Sequence, residues 1–573
     1  MPPKIAHNAQ ILLEERYLQK NGPGASIETP DQLFRRVARH IASVEDKNKD
    51  HWEDCFYDHM TKMEFLPNSP TLMNAGLPKG QLSACFVLPI NDSLDEIFTT
   101  LKNAALIHQS GGGTGYNFSR IRPKNDTIST TGGKSSGPIA FMKVFDAATE
   151  HVKQGGKRRG ANMGILNMDH PDIAQFVVAK LDGSSLQNFN ISAGITDHFM
   201  EAMINTEKWE LINPRTGQPE RTIEAKELWN SLINAAWKTG DPGLIFLDTI
   251  NGHNPLLQQG RIQSTNPCGE VPLFDYESCN LGSINLSKIL GLGSKESTID
   301  WDKLKLLVQM GIRFLDNVIQ SNCYVLPEVA EMALKNRKIG LGVMGWAELL
   351  LQLEIPYASK EAIQLAEKLM RFIQETSFNA SCDIAKEKGC FPAWVDSVHY
   401  PNLPLRNATC NSIAPTGSIS IIANTSYSIE PLYALAFKRT GILGTKTQQV
   451  LHPIVKNKLT QLGHWNNDIK DQILETGSIR EIESIPDHIK KLFETSLEIP
   501  WKYHLEHQRA FQKYTDNAVS KTINLPSSAS ISDISEIYIT AWKYGLKGIT
   551  IYRDGSKANQ VLQKCGAIEP LSC

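Results

Sequence analysis

From Phe65 to the end of the chain, segments with the apolar spacing of helices alternate with short strand-like segments. No long linker, low-complexity run or internal repeat separates them. Because a strand and a helix each bury an apolar face, this alternation favours an α/β fold with strands inside and helices outside. The 573 residues, of which 41% are hydrophobic, are enough for one large barrel-like core. We expect an N-terminal helical region at residues 1–60, a barrel at 61–555 and a C-terminal tail at 556–573.

Local patterns predict several individual elements. Ser93 and Glu96 have the spacing of a capping box, and an apolar-periodic helix should follow them. Apolar spacing and terminal glycines predict two more helices, at residues 224–240 and 359–389. Residues 417–424 are rich in Ser and Ile and predict a buried strand.

Composition argues against several classes of protein. The formal net charge is -2, so no overall field attracts nucleic acid or an anionic membrane, and we expect neither as a partner. The most apolar stretch, residues 339–355, contains Glu348 and Glu354 and is too short to span a bilayer. The ten cysteines include no Cys-x-x-Cys pair, which argues against a disulfide scaffold and a structural zinc site. The N-terminus lacks the apolar core of a signal peptide, so a reducing cytoplasm is the expected compartment, and we expect no protein-ligated metal.

Residues 340–345 (Gly-Leu-Gly-Val-Met-Gly) fit the glycine spacing of a dinucleotide-binding turn. That turn follows an apolar strand, whereas residues 336–338 are Asn-Arg-Lys and end a helix-like segment. Close packing of the backbone is therefore the favoured explanation of these glycines. A nicotinamide-dependent oxidoreductase is the alternative function that this segment leaves open.

The most informative segment is residues 266–270 (Asn-Pro-Cys-Gly-Glu). Asn266 and Glu270 each stand two residues from Cys268, and in an extended or tightly looped segment this spacing directs all three side chains to one side. A carboxamide, a thiol and a carboxylate on one surface can orient a substrate hydroxyl, take a hydrogen atom and take a proton. The alternative is an inert core cysteine with two polar neighbours, which is the commoner role of an isolated cysteine.

These residues resemble the catalytic loop of the ribonucleotide reductases. Other parts of the chain resemble the same family: residues 67–72 with 82–85, residues 110–115 and residues 414–419. Such motifs in this order are far more specific than any one of them alone. The resemblance implies a ten-stranded α/β barrel with a central finger loop that carries the radical cysteine, preceded by a short helical N-terminal region.

The resemblance also implies the chemistry. Cys268 would become a thiyl radical that takes the 3'-hydrogen of the ribose. Glu270 would be the general base for the 3'-hydroxyl, and Asn266 would hydrogen-bond the substrate. Cys85 and Cys279 would supply the electrons, expel the 2'-hydroxyl as water and end as a disulfide. The product, a 2'-deoxyribonucleotide, supplies DNA synthesis.

A phosphate-binding turn is expected near residue 416. Thr416 and Ser418 offer hydroxyls, and Gly417 between them allows a turn whose backbone amides cradle an anion. The alternative is the ordinary beginning of a strand. With the resemblance, the implied substrate-binding residues are Ser69, Ser83, Ala84, Gly113, Pro415, Thr416, Gly417, Ser418 and Ile419.

The radical source follows from what the sequence lacks. One class of the family receives the radical from an iron-containing subunit through two adjacent tyrosines near the end of the barrel. The matching segment here has Tyr552 alone, and no Tyr-Tyr pair occurs in the chain. A glycyl-radical signature is not found either. The resemblance therefore points to the class that uses adenosylcobalamin. No histidine stands in an Asp-x-His-x-x-G motif, which argues against a histidine ligand on cobalt.

Regulation is expected in a basic, glycine-flanked segment that contains Lys157, Arg158 and Arg159. A solvated turn is the plain explanation. By resemblance, this loop couples a deoxynucleoside triphosphate (dNTP) effector to the choice of substrate base, and Asp92 and Arg122 hold the effector.

The resemblance further implies a homodimer, a thioredoxin-like reductant and ribonucleotide substrates, with diphosphates suggested over triphosphates. A non-catalytic nucleotide-binding regulator is the other alternative function, because a phosphate turn and a basic loop need no catalysis.

The tail leads to the first testable prediction. Cys565 and Cys573 are thiols that can carry reducing equivalents from an external thioredoxin to the buried cysteine pair by disulfide exchange. Changing both to serine should preserve turnover with dithiothreitol, which is small enough to enter the site, and abolish turnover with thioredoxin. Equal loss or equal retention with both reductants would show that they are ordinary exposed thiols.

Overall fold

The computed structural model describes residues 3–21, 26–128, 132–154, 158–291, 298–440, 447–556 and 563–564. Helices dominate the N-terminal part of the chain, as predicted: His7–Arg16, Pro30–Ala42, Lys49–Thr61 and Ser69–Asn74. Pro30–Ala42 begins at a full capping box between Thr29 and Gln32. Its buried face, which includes Phe34 and Val37, shares one apolar core with helix Trp301–Ser321. The boundary at residue 60 stays a prediction.

Ten strands form the central sheet. In chain order they are β1 (Phe65–Pro67), β2 (Cys85–Val87), β3 (Gly113–Asn117), β4 (Asn162–Asn167), β5 (Phe189–Ile195), β6 (Gly243–Phe246), β7 (Ser278–Asn285), β8 (Ile339–Met344), β9 (Thr522–Leu525) and β10 (Gly548–Arg553).

The strands close into a barrel. Strands β2 to β6 run parallel, each beside the next. β7 is parallel to β8, and β9 is parallel to β10. The two groups meet antiparallel where β2 pairs with β7 and β6 pairs with β10, and β1 also pairs antiparallel with β7. Parallel bridges from Leu341 to Asn411 and from Ile413 to Val519 connect β8 to the segment before β9. The predicted ten-stranded α/β barrel is confirmed.

Helices and short hairpins surround these strands. The remaining α-helices are Leu94–Gln109, Pro138–His151, Ile173–Val177, Asp197–Asn205, Ala225–Thr239, Leu247–Gly252, Trp301–Ser321, Pro327–Asn336, Trp346–Gln352, Lys360–Lys388, Gly417–Ala423, Pro453–Gln461, Asn467–Thr476, Asp487–Leu492, Trp501–Gln512 and Ile531–Lys543. Short 3-10 helices span Phe118–Arg120, Leu257–Gln259, Leu286–Lys288 and Pro392–Asp396. Besides the ten barrel strands, shorter strands pair as Lys153–Gln154 with Arg158–Arg159, Lys208–Ile212 with Pro219–Glu224, Ser264–Thr265 with Pro272–Leu273, and Ala436–Thr440 with Thr447–Leu451 and Gln563–Lys564. Within the described ranges, no helix combines the length and apolarity needed to cross a membrane.

Most of the predicted local elements are confirmed, and one is wrong. Ser93 caps its helix, since its Oγ accepts from the Glu96 backbone N–H at 3.2 Å. The helices predicted at 224–240 and 359–389 are also present. Residues 417–424, however, form helix Gly417–Ala423 instead of a strand. Its buried residues include Ile419 and Ile422, which are three positions apart and therefore share one helix face. The prediction of a strand relied on the high Ile content and overlooked this helical spacing.

The glycines of residues 340–345 lie mostly within a strand, which agrees with the packing explanation. All six residues of β8 are buried. A Cβ added at Gly342 would lie 2.2 Å from the Ser412 carbonyl oxygen, and one at Gly340 would lie 2.4 Å from Leu281 Cδ2. A dinucleotide fingerprint needs these glycines in the turn after a strand. The geometry therefore removes the support for a nicotinamide site here.

The segment that follows Ser264–Thr265 lies against β3, inside the barrel. A Cβ added at Gly115 would lie 1.7 Å from the Thr265 carbonyl oxygen. One added at Gly113 would lie 2.8 Å from Pro267 Cγ. Only glycine lets a strand backbone approach another backbone this closely. The predicted finger loop can therefore lie this close to the barrel wall because the wall has glycine at these two positions.

This contact leads to a prediction about stability. We expect Gly115→Ala to lower the melting temperature and to change the alkylation rate of the Cys268 thiol, because the loop must move away from the new methyl group. Gly252→Ala is the matched control, since a Cβ at Gly252 meets nothing within 4 Å. Thermal unfolding and thiol alkylation measure the two effects. Wild-type behaviour of Gly115→Ala in both would contradict the close approach.

Candidate active site

A tight turn presents Cys268 at the tip of the finger loop. The Gly269 backbone N–H donates to the Asn266 carbonyl at 3.1 Å, and Gly269 has φ +80°. The Asn266 side-chain oxygen accepts from the Val271 N–H at 3.0 Å, so the carboxamide fixes the turn that contains it. From the barrel wall, the Asn190 amide donates to the Pro267 carbonyl at 2.8 Å. The loop is therefore held by its own hydrogen bonds and by β5.

The structure brings Asn266, Cys268 and Glu270 to one cavity of about 230 Å³. Cys268 is exposed, whereas Asn266 and Glu270 are each only 2% exposed. The Glu270 backbone is anchored, because its carbonyl accepts from Ser412 Oγ at 2.9 Å and from the Ala518 N–H at 2.8 Å. The carboxamide, thiol and carboxylate predicted to share one surface do so.

Cys85 and Cys279 face each other across two antiparallel strands. They are register partners between β2 and β7, and both are buried thiols. Directly opposed residues in an antiparallel pair have the Cα spacing that a disulfide requires. Asn266 Nδ2 donates to Cys85 Sγ at 3.1 Å, which joins the pair to the finger loop. Burial raises the pKa of the Cys279 thiol far above its usual range.

Two helices begin at the same cavity and give it an electropositive end. Helix Ser69–Asn74 begins after Asn68, and helix Gly417–Ala423 begins after Thr416, which has φ 57°. The first-turn N–H groups of a helix have no partner within the helix, so they suit an anion. Thr416 Oγ1 accepts from the Ser428 N–H at 2.8 Å, which holds the turn in place.

The cavity includes most of the predicted substrate residues. Ser69, Ala84, Gly113, Pro415, Thr416, Gly417, Ser418 and Ile419 line it. Ser83 does not belong to this lining, and its Oγ accepts from Asn322 Nδ2 at 3.1 Å. Sequence reasoning missed Gly282 and Ser283, which also line the cavity. Both residues lie on the same strand as Cys279, and this nearness in sequence could have identified them.

A second cavity, of about 540 Å³, is also lined by Cys268. Its lining includes the apolar side chains of Met163, Ile245 and Ile549 together with polar and charged side chains. Tyr552 lines it together with Tyr433, which no sequence motif singles out. Cys268 therefore belongs to the lining of both cavities.

The predicted effector residues Asp92 and Arg122 form an ion pair, with Arg122 Nε 2.7 Å from Asp92 Oδ2. Lys157, Cys565 and Cys573 lie outside the described residues, as does the Arg158 side chain. Among the described residues, no group of three or more His, Cys, Asp or Glu side chains is arranged to hold a metal ion.

Comparison with known proteins agrees with this geometry. The chain matches the model for the ribonucleotide reductase barrel domain at residues 83–403 and 399–552, and the model for the ribonucleotide reductase all-alpha domain at residues 4–80. It is 46% identical to a vitamin B12-dependent ribonucleoside-diphosphate reductase of Thermoplasma acidophilum, covering 98% of this chain and 80% of that protein. A protein of the same name from Mycobacterium tuberculosis is also 46% identical, over 99% of this chain and 82% of that protein.

Among solved structures, the chain is similar to the class Id ribonucleotide reductase alpha subunit of Actinobacillus ureae. The TM-score is 0.78 at 26% sequence identity, covering 96% of this chain and 97% of that one. The likeness therefore extends over nearly the whole fold.

The opposed cysteines lead to a prediction about oxidation. We expect mild oxidation to join Cys85 to Cys279, because their strands already hold them at disulfide distance. Peptide mass spectrometry identifies the bond. Cys279→Ser should abolish it, and Cys55→Ser, which changes a cysteine of the N-terminal helices, should leave it unchanged. Preferential pairing of Cys85 with any other cysteine would contradict the register.

Proposed function

Since this chain belongs to the ribonucleotide reductase family, it reduces ribonucleotides to deoxyribonucleotides, and we propose that its substrates are diphosphates and its radical source is adenosylcobalamin. The observation that carries the proposal is the position of Cys268. This residue lines both cavities: the smaller one, which Cys85 and Glu270 also line, and the larger one, which neither of them lines.

Within the smaller cavity, each group has a distinct task. The Cys268 thiyl radical takes the 3'-hydrogen, and the Glu270 carboxylate takes the proton of the 3'-hydroxyl; both return to the 3'-position at the end of the reaction, which restores the thiyl radical. Cys85 and Cys279 supply two electrons and two protons, the 2'-hydroxyl leaves as water, and a sulfur–sulfur bond forms. The arrangement of Asn266 supports this assignment, since its carboxamide already contacts Cys85 Sγ.

The substrate phosphates are assigned to the two helix N-termini. Ser69 and Ser418 offer hydroxyls there, and Gly417 leaves open space beside the backbone. Oriented N–H groups and hydroxyls suit a diphosphate. The names of the relatives from Thermoplasma acidophilum and Mycobacterium tuberculosis support the diphosphate over the triphosphate.

We assign the adenosyl end of adenosylcobalamin to the larger cavity. Met163, Ile245 and Ile549 would contact it, with Tyr433 and Tyr552 at the lining. When bound, this cofactor supplies the initiating radical by cleavage of its cobalt–carbon bond. The vitamin B12 dependence named for the two relatives supports the same assignment.

Regulation and assembly follow the family. Asp92 and Arg122 would hold a dNTP effector that changes the preferred substrate base, with Lys157 and Arg158 in the coupling loop. Exposed apolar residues on helices Leu94–Gln109 and Pro138–His151 support a homodimer through this face: Leu94, Phe98, Leu106 and Val144. We also assign a thioredoxin-like reductant and a cytoplasmic location. A non-catalytic nucleotide-binding regulator would bind nucleotides and form no deoxynucleotide.

Turnover of CDP with dithiothreitol tests the proposal. Product should form with adenosylcobalamin and should be absent without it. Cys268→Ser should reduce turnover to background and leave nucleotide binding near wild type, because a hydroxyl does not form the required radical. Product formation that needs a second protein and ignores cobalamin would contradict the radical source. Activity of more than a few per cent in Cys268→Ser would remove this thiol from the mechanism.

A further inference from the structure

A buried ion pair that the mechanism does not use lies beside the redox cysteines. Lys338 Nζ is 2.6 Å from Glu277 Oε2, and each side chain is only 2% exposed. Glu277 also accepts from the Phe274 N–H at 2.8 Å and from Asn336 Nδ2 at 2.5 Å. Desolvation of two charges offsets most of their attraction, so a buried pair adds little net stability. Its position therefore suggests another role.

Strand pairing places Lys338 next to Cys279. β7 and β8 are parallel neighbours whose register begins with Asn280 opposite Ile339. Cys279 and Lys338 are the residues immediately before these two. The Lys338 ammonium opposes the effect of burial on the pKa of the Cys279 thiol, whereas the Glu270 and Glu277 carboxylates reinforce that effect.

The two redox cysteines differ in access. Cys85 lines the substrate cavity, and Cys279 does not belong to that lining. A small dithiol that enters by the cavity therefore meets Cys85 Sγ first. Its thiolate bonds to this sulfur, the Cys85–Cys279 bond breaks, and the electron pair leaves on Cys279. That thiolate forms in a buried place where an uncompensated charge is costly.

We propose that Lys338, held by Glu277, is a positioning residue for re-reduction, and that its ammonium stabilises the thiolate that leaves on Cys279. The inference rests on the proposed function of the cysteine pair. In the second half of the reaction, the other thiol of the reductant attacks its own mixed disulfide and releases Cys85. Both protons of the dithiol end on the two cysteines, and the reductant leaves as a cyclic disulfide. A leaving thiol with a lower pKa departs faster, which is the advantage that the cation provides.

The test compares the wild type with Lys338→Met/Glu277→Gln. This double variant removes the cation and its counter-charge together and keeps an acceptor for the Phe274 N–H. Each protein is first oxidised to the Cys85–Cys279 disulfide and then reduced with dithiothreitol at fixed pH. Alkylation and mass spectrometry of the two peptides follow the reaction without nucleotide or cobalamin. We expect re-reduction to be about three- to tenfold slower than in the wild type.

A matched control removes a buried ion pair elsewhere. Arg313 lies 3.0 Å from Glu45, with side chains 10% and 3% exposed. Arg313→Met/Glu45→Gln should re-reduce at the wild-type rate even where its melting temperature falls. A wild-type re-reduction rate in the Lys338→Met/Glu277→Gln variant would overturn the inference, as would an equal slowing in both variants. Because this assay needs no turnover, its failure is distinguishable from a wild type that makes no deoxynucleotide.

Discussion

The approach of the Thr265 carbonyl to Gly115 is the contact on which the active site depends. A barrel of ten strands has an interior that side chains of ordinary size would fill. Because Gly113 and Gly115 have no side chains, one part of β3 leaves this space open, and the finger loop occupies it. Cys268, at the tip of this loop, lines both cavities. Without this close approach, the loop could not bring the thiol to both cavities.

The same interior explains the chemistry of the other groups. In a low-dielectric space, a charge without compensation is costly, so a neutral thiol is favoured at Cys279. Neutral thiols are what the reduction requires, because they deliver protons as well as electrons. The reverse process must form a thiolate in the same place. A fixed cation such as Lys338 serves both states of the cysteines. While they are reduced, Glu277 neutralises the cation; during re-reduction, the cation stabilises the thiolate.

Two segments show that a short sequence motif does not by itself determine the local backbone structure. The glycine spacing of residues 340–345 is that of a dinucleotide turn, yet these glycines let β8 pack against Ser412 and Leu281. The Ile-rich segment after Thr416 suggested a strand, yet it forms a helix whose N-terminus points to the cavity. In both cases, contacts with other parts of the same chain determined the local structure. The local sequence pattern alone is compatible with more than one backbone conformation.

The sequence by itself determined the alternation that requires an α/β fold, and the arrangement of Asn266, Cys268 and Glu270. Those three side chains lie within one turn, so local spacing is enough to direct them to one surface. The opposition of Cys85 and Cys279 had only the family resemblance to support it, because it depends on the register of β2 with β7. Only the tertiary structure placed Lys338 beside Cys279 and Tyr433 beside the larger cavity. These contacts join parts of the chain that no local period relates, and they exist only once the barrel has closed.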